Sequence, residues 1–355
     1  MATAPAVQQA AAEIAEGWVA DRIVPTAAVV VTDAAGAILG EAYAGDADAS
    51  TLFAYASAGK PITAAVAHVL HRRGDLDLDE PVVGVISEFG SGDARRDTIT
   101  FRDLLAHAGG LPESSPRAPG EATRAEVAAE AARVPLHYPP RTRRCYSNPG
   151  YALVGDACER VSGAAWPDLA AALVLEPLGL DTTWFSPPEA VWDRIARVRA
   201  PGSVAPGVQM FNSSYYRAAG LPQGGAYGTA RDLARLASAF LPAAHEVLGA
   251  DVRDALTLPH LDGLPGGIPS VWEWEDAPWG QGFEVRGTKT PYWGGEQASA
   301  RTYTHTGWSG TLTAADPERG TAWAVIGTRG VGAGWTMPEA LPQASDRILA
   351  GLDGS

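Results

Sequence analysis

Lysine is almost missing from this chain: among 27 basic residues only Lys60 and Lys289 are lysines, and the rest are arginines. Asparagine is as scarce, with Asn148 and Asn212 alone, and the only cysteines are Cys145 and Cys158. Two cysteines this far apart make neither a zinc spacing nor a disulfide framework, and they suit a reducing cytoplasm. No apolar run approaches the roughly 18 residues of a membrane span. The first residues, Met1 to Pro5, lack a charged segment followed by an apolar one, and Glu13 and Glu16 interrupt the first apolar stretch, so no export is expected. There is also no basic stripe. A net charge of -14 and a pI near 4.9 argue against nucleic-acid or anionic-membrane partners. The one basic cluster, Arg141-Thr142-Arg143-Arg144, is short and reads as a solvated or ion-paired face.

What is present is a large apolar content, 46% over 355 residues, enough for one large domain or two intimately joined ones. The rare lysine then gains meaning. In Ala54-Tyr55-Ala56-Ser57-Ala58-Gly59-Lys60-Pro61 a helix begun near Ser57 places Lys60 one turn on, on the same face, with its amine in reach of the serine hydroxyl. Pro61 supports that start, because proline is at ease only near a helix N-terminus. Arginine cannot give up its proton, whereas a buried lysine can and then acts as a base. A capping serine beside a solvated lysine is the other reading of this stretch.

Along the chain, residues Val7 to Val19 read as an amphipathic helix. Thr26 to Thr32 and Ala37 to Ala44 read as a hairpin across Asp33-Ala34-Ala35-Gly36. The Ser57 helix runs to a C-cap at Gly74. Thr100 caps a helix containing Phe101, Leu104 and Leu105, and Glu126 to Ala132, Ala152 to Val161, Pro167 to Leu175 and Leu233 to Phe240 are further helices. Strands return at Arg301 to His305, Gly310 to Ala315 and Thr321 to Thr328, before a last helix over about Met337 to Ala350. Strands at both ends with helices between predict an α+β fold, its antiparallel sheet built from residues 1–75 and 220–355, with a mainly helical region at 76–219 and the site at their interface. Seven of the eleven tryptophans fall between Trp272 and Trp335, either lining an aromatic cleft or packing the core. His68 and His71, three apart on one helix, have no third ligand of matching context and read as ordinary histidines.

Acyl transfer through serine needs a base, a proton relay to the leaving group and donors for the oxyanion. Lys60 supplies the first. Tyr146 and Asn148, two apart in an extended turn, project to one side and supply the second. His305-Thr306-Gly307 is a third element: its glycine admits substrate close to the backbone, and the amide of Trp308 can pair with that of Ser57 as an oxyanion hole. Lys289-Thr290-Pro291 competes for that role but lacks the glycine, and its proline removes an amide donor.

Ser57-Ala58-Gly59-Lys60, Tyr146-Ser147-Asn148 and His305-Thr306-Gly307, in this order, resemble the serine β-lactamase and penicillin-binding-protein superfamily, in its branch of class C β-lactamases, esterases, D-aminopeptidases and transacylases. Gly74 to Val82, Leu104-Leu105-Ala106-His107, Glu176 to Leu180, Gly224-Gly225, Thr229 to Ala234 and Asp316 to Gly320 are similar to the same branch. The resemblance implies a β-lactamase-like fold and a serine hydrolase or acyltransferase working through a Ser57 acyl-enzyme, with Lys60 and Tyr146 moving protons, Asn148 holding lysine and substrate, and no metal or organic cofactor. Relatives usually carry lysine where His305 stands; an unperturbed histidine is mostly uncharged at neutral pH, so an anionic substrate should be held less well. The expected substrate is a small-molecule ester or amide, handled by an esterase-like enzyme. The alternatives are a transacylase, an amidase or D-aminopeptidase, and a non-catalytic binding homologue.

Overall fold

A computed structural model of the protein describes residues 4–115, 122–199, 206–244, 247–331 and 338–354. Helix α1 (Ala4–Ala20) leads into a hairpin of β1 (Ala27–Asp33) and β2 (Ile38–Ala44). A short 3₁₀ turn, Ala56–Gly59, precedes α2 (Lys60–Arg73), and α3 (Asn148–Ser162) and α4 (Ala230–Ser238) follow. The chain then adds β3 (Glu284–Val285), β4 (Tyr303–Gly307), β5 (Thr311–Asp316) and β6 (Thr321–Gly327), and finishes in α5 (Ala340–Leu352).

These six strands form one antiparallel sheet in the order β2-β1-β6-β5-β4-β3. Its second and third strands, β1 and β6, join the two ends of the chain, from Ala27 opposite Gly327 to Asp33 opposite Thr321. The alternation of β1 explains why both faces are covered. Val29 and Val31 turn to one face, with Ile14 of α1, Trp323 and Ile348 of α5. Ala28 and Val30 turn to the other, with Leu233 and Ala237 of α4 and the helices that follow α2. The fold is α+β, as the pattern of strands at both ends predicts.

Three boundaries differ from the sequence reading in ways that matter. The helix expected to begin at Ser57 begins at Lys60. Ser57 lies in the preceding 3₁₀ turn, entered through Ala56 at φ +48, a backbone state that alanine does not advertise. The helix expected from Ala152 begins instead at Asn148, with the Ser147 hydroxyl accepting the Gly150 amide and Pro149 in the first turn. Tyr146 and Asn148 are therefore not two positions of one extended turn: Tyr146 follows a two-residue strand, Arg144–Cys145, and Asn148 starts a helix. The last helix begins at Ala340, and Met337 lies outside the described residues. Among the described residues no helix is long and apolar enough to cross a membrane.

Candidate active site

Ser57 is placed by chain segments far from it in sequence. The carbonyl of Ala54 accepts the Ser309 hydroxyl at 2.6 Å, and that of Tyr55 accepts the Thr311 hydroxyl at 2.8 Å. The Tyr55 amide donates to Ala226 at 2.9 Å and its phenol to Thr229 at 2.6 Å. The turn is thus pinned against β4, and Gly307 is what permits the approach: a Cβ there would stand 2.1 Å from the Tyr55 carbonyl oxygen and 2.2 Å from the Thr311 hydroxyl. Ser57 itself is half-buried while Ala56, Ala58, Gly59 and Lys60 around it are buried.

Because a 3₁₀ turn eclipses positions three apart, the Lys60 amine lands on the serine, with Nζ 3.0 Å from Ser57 Oγ. The same amine donates to Asn148 Oδ1 at 2.7 Å and to the Gln223 carbonyl at 2.5 Å, and it lies 4.9 Å from the centre of the Tyr146 ring. It is fully buried. Burial drives its pKa well below the ordinary lysine value, opposed by the negative field of Glu113. Tyr146 is pushed the other way: burial raises its phenol well above the usual value, while the Ser57 hydroxyl lowers it. That hydroxyl lies near Ser57 without meeting the geometry of a formed hydrogen bond.

Behind Tyr146 sits a residue the motifs do not single out. His107, at φ +57, accepts the Ser147 amide on Nδ1 at 3.0 Å and gives its carbonyl to the Cys145 amide at 2.9 Å, so it grips both neighbours of Tyr146. Its ring packs on that of Tyr146 with centroids 4.5 Å apart. The amide bond fixes the neutral ring's proton on Nε2. His305 is the converse: Nδ1 faces the Thr306 carbonyl at 3.0 Å, leaving Nε2 as an acceptor. Burial, with Lys60 adding to it, lowers His305 to about 3, and His107 is likewise lowered by burial and Lys60. Both imidazoles are neutral near pH 7.

Most of the described tryptophans of the late cluster pack the core. Trp274, Trp279, Trp293 and Trp323 are core residues, Trp272 and Trp308 are exposed, and Trp335 lies outside the described residues. Trp279 backs the site, its ring 5.1 Å from His107 and 5.9 Å from Tyr146. Lys289 has no place beside Ser57. It is buried on Glu284 at 3.1 Å and on the Pro278 carbonyl at 2.7 Å, under the rings of Trp274 and Trp279. His68 is buried against Gln281 at 3.0 Å. His71 groups with Asp77 and Asp79 at the surface, where Arg102 pairs with Asp79 at 2.7 Å and meets His71 at 3.1 Å. Ser57, Lys60, Tyr146, Asn148, His305 and Gly307 are brought together. Among the described residues the backbone amides of Ser57 and Trp308 donate to no other group.

A half-buried serine with a buried amine beside it, next to an antiparallel sheet covered by helices on both faces, is an arrangement of the β-lactamase-like class. Within that class the chain belongs to the beta-lactamase family, whose model matches residues 8–336. An Escherichia coli K12 protein provisionally named D-alanyl-D-alanine carboxypeptidase is 30% identical over 279 residues, 70% of this chain. The chain spans 62% of the length of that curated relative. The structure of a beta-lactamase from Mycobacterium bovis is 29% identical, with a TM-score of 0.67 over 95% of this chain and 98% of that one. A family VIII carboxylesterase, 19% identical, shares the fold at a TM-score of 0.80 over 99% and 98% of the two chains.

Proposed function

We propose that this protein is an esterase-like serine hydrolase or acyltransferase that cleaves a small ester or amide through an acyl-enzyme on Ser57. The observation that carries the reading is the buried Lys60 amine 3.0 Å from Ser57 Oγ, held by two oxygen acceptors besides the serine. Burial pulls the pKa of the amine down, toward the free base that can accept a proton, whereas it pushes that of the phenol up, so the phenol keeps its proton. Lys60 therefore takes the proton of Ser57 as Oγ bonds to the substrate carbonyl carbon. The oxyanion is received by the amides of Ser57 and Trp308. Tyr146 gives its proton to the departing oxygen or nitrogen and regains one from protonated Lys60. Water, or an alcohol or amine acceptor, then attacks the ester in the reverse sense and frees Ser57.

The test is intact mass after a fluorophosphonate or a p-nitrophenyl ester, beside Ser57→Ala and Lys60→Arg. The parent gains one acyl or phosphonyl mass and Ser57→Ala gains none. Lys60→Arg keeps a positive charge but cannot shed its proton, so its acylation rate falls about 10²–10⁴-fold. An adduct that survives in Ser57→Ala sinks the reading. Product analysis with competing alcohols separates transfer from hydrolysis.

A further inference from the structure

The charge around Ser57 is one-sided. Burial lowers Lys60 well below the ordinary lysine value and leaves His107 and His305 uncharged near pH 7. Lys289, the other lysine, is paired with Glu284. The E. coli relative's name implies a peptide ending in a carboxylate, and none of these groups is a settled cation to receive one. What does bear on Lys60 and Tyr146 is the field of a carboxylate. Glu113 acts on both Lys60 and Tyr146, and among the described residues it has no ion-pair partner.

Its place is built rather than incidental. The Glu113 carbonyl accepts the Asn148 backbone amide at 3.0 Å and the Asn148 side-chain amide at 3.1 Å, and the Oδ1 of that same side chain accepts Lys60. Glu113 is thus one asparagine away from the amine on Ser57. Its carboxylate is fixed by Ser270, Oε2 by the backbone amide at 2.9 Å and Oε1 by the hydroxyl at 2.5 Å. Ser270 follows a short strand, Gly266–Ile268, whose Gly267 carbonyl holds the Tyr146 amide at 2.9 Å. A carboxylate offers about four lone-pair positions, and two of these are in use. The remainder is a half-buried, pre-positioned acceptor for a positive group, which loses little freedom when a ligand arrives.

We propose that Glu113 receives an ammonium group on the substrate, so that the site takes amine-bearing esters or amides and disfavours those with a free carboxylate. This rests on the acyl-enzyme reading above. The test is a charge series: p-nitroanilides of D- and L-alanine with the α-nitrogen free, acetylated or succinylated, alongside p-nitrophenyl butyrate as a neutral ester with no nitrogen. The α-amine is mostly protonated at pH 7. In at least one stereochemical series kcat/KM falls at least about tenfold from free to acetylated amine and falls again on succinylation. In Glu113→Gln the three converge. That variant also changes the field on Lys60, but this moves all three substrates together, so the ratio isolates recognition. Ser270→Ala, which removes one donor to the carboxylate, weakens the same ratio if the glutamine variant does not fold. Butyrate turnover with no preference for the free amine overturns the inference and leaves the acyl-enzyme intact. A preference undiminished in folded variants overturns the assignment to Glu113. Failure to react with the whole panel and with a fluorophosphonate overturns both readings.

Discussion

The phenol of Tyr146 is aimed by a histidine that touches no reacting atom. His107 combines a left-handed backbone, an acceptor for the Ser147 amide and a ring against Tyr146. Asparagine tolerates that backbone and carries an oxygen where Nδ1 stands, whereas phenylalanine keeps only the ring. His107→Asn should stay within about 1 kcal/mol of the parent in urea unfolding, and His107→Phe should lose about 1–3 kcal/mol by stranding a buried amide. Both should lower kcat more than KM, with asparagine the milder, because proton delivery is felt in the transition state. Equal stability and equal kcat in the two variants would show that the acceptor is irrelevant. Ser57, Lys60, Tyr146, Asn148, His305 and Gly307 were legible because each lies in a short motif whose spacing encodes its geometry. The Gln223 carbonyl and Glu113 were not, because loops bring them to the site and nothing local marks their destination, and His107 stood out only as the end of Leu104-Leu105-Ala106-His107, with no role attached to it.

Among the elements, β4 and the 3₁₀ turn at Ser57 meet with no room to spare. Gly307→Ala would press a methyl into the Tyr55 carbonyl and the Thr311 hydroxyl, neither of which can yield, since each is bonded to the other. Strand and turn must separate, moving the Trp308 amide away from Ser57. The expected outcome is a stability loss of about 1–3 kcal/mol and an acylation rate down by about 10²-fold or more, read by stopped-flow with a p-nitrophenyl ester. A near-normal rate would remove Trp308 from the oxyanion site. The same elements show why boundaries were harder to read than the elements themselves. Short runs rich in apolar and β-branched residues mark β1, β5 and β6 to within a residue or two. The start of α3 at Asn148 depends instead on the Ser147 cap and Pro149, a signal present in the sequence but overshadowed by the tyrosine and asparagine flanking it.

For the molecule as a whole, three histidines are buried without charge, two beside Tyr146 and one away from it: His305 is lowered to about 3, His107 well below its usual value, and His68 to about 3. Their folded pKa values lie below the unfolded value of about 6.5. Between about pH 6.5 and pH 3 the unfolded chain therefore binds protons that the folded chain refuses, and stability falls as pH falls, by up to about 1.4 kcal/mol per pH unit for each group. Acid unfolding should begin near pH 6 and steepen below it. His68→Gln, remote from Ser57, removes one of the three and should shift the acid midpoint downward in a circular-dichroism titration. An unmoved midpoint would mean that His68 is not buried neutral.

The pairing of β1 with β6 sets a timetable as well as a shape. On the ribosome, the hairpin of β1 and β2 emerges early, with an apolar edge whose partner, residues 321–327, is nearly the last strand to be made. The serine turn waits too, since the hydroxyls that pin it belong to Ser309 and Thr311. Any nascent or truncated chain ending before that hairpin would carry Ser57 and Lys60 but no fixed nucleophile, and an open strand edge that invites misassembly. Reactivity at Ser57 would then serve as a late clock of folding, switching on only when the two ends of the polypeptide have met.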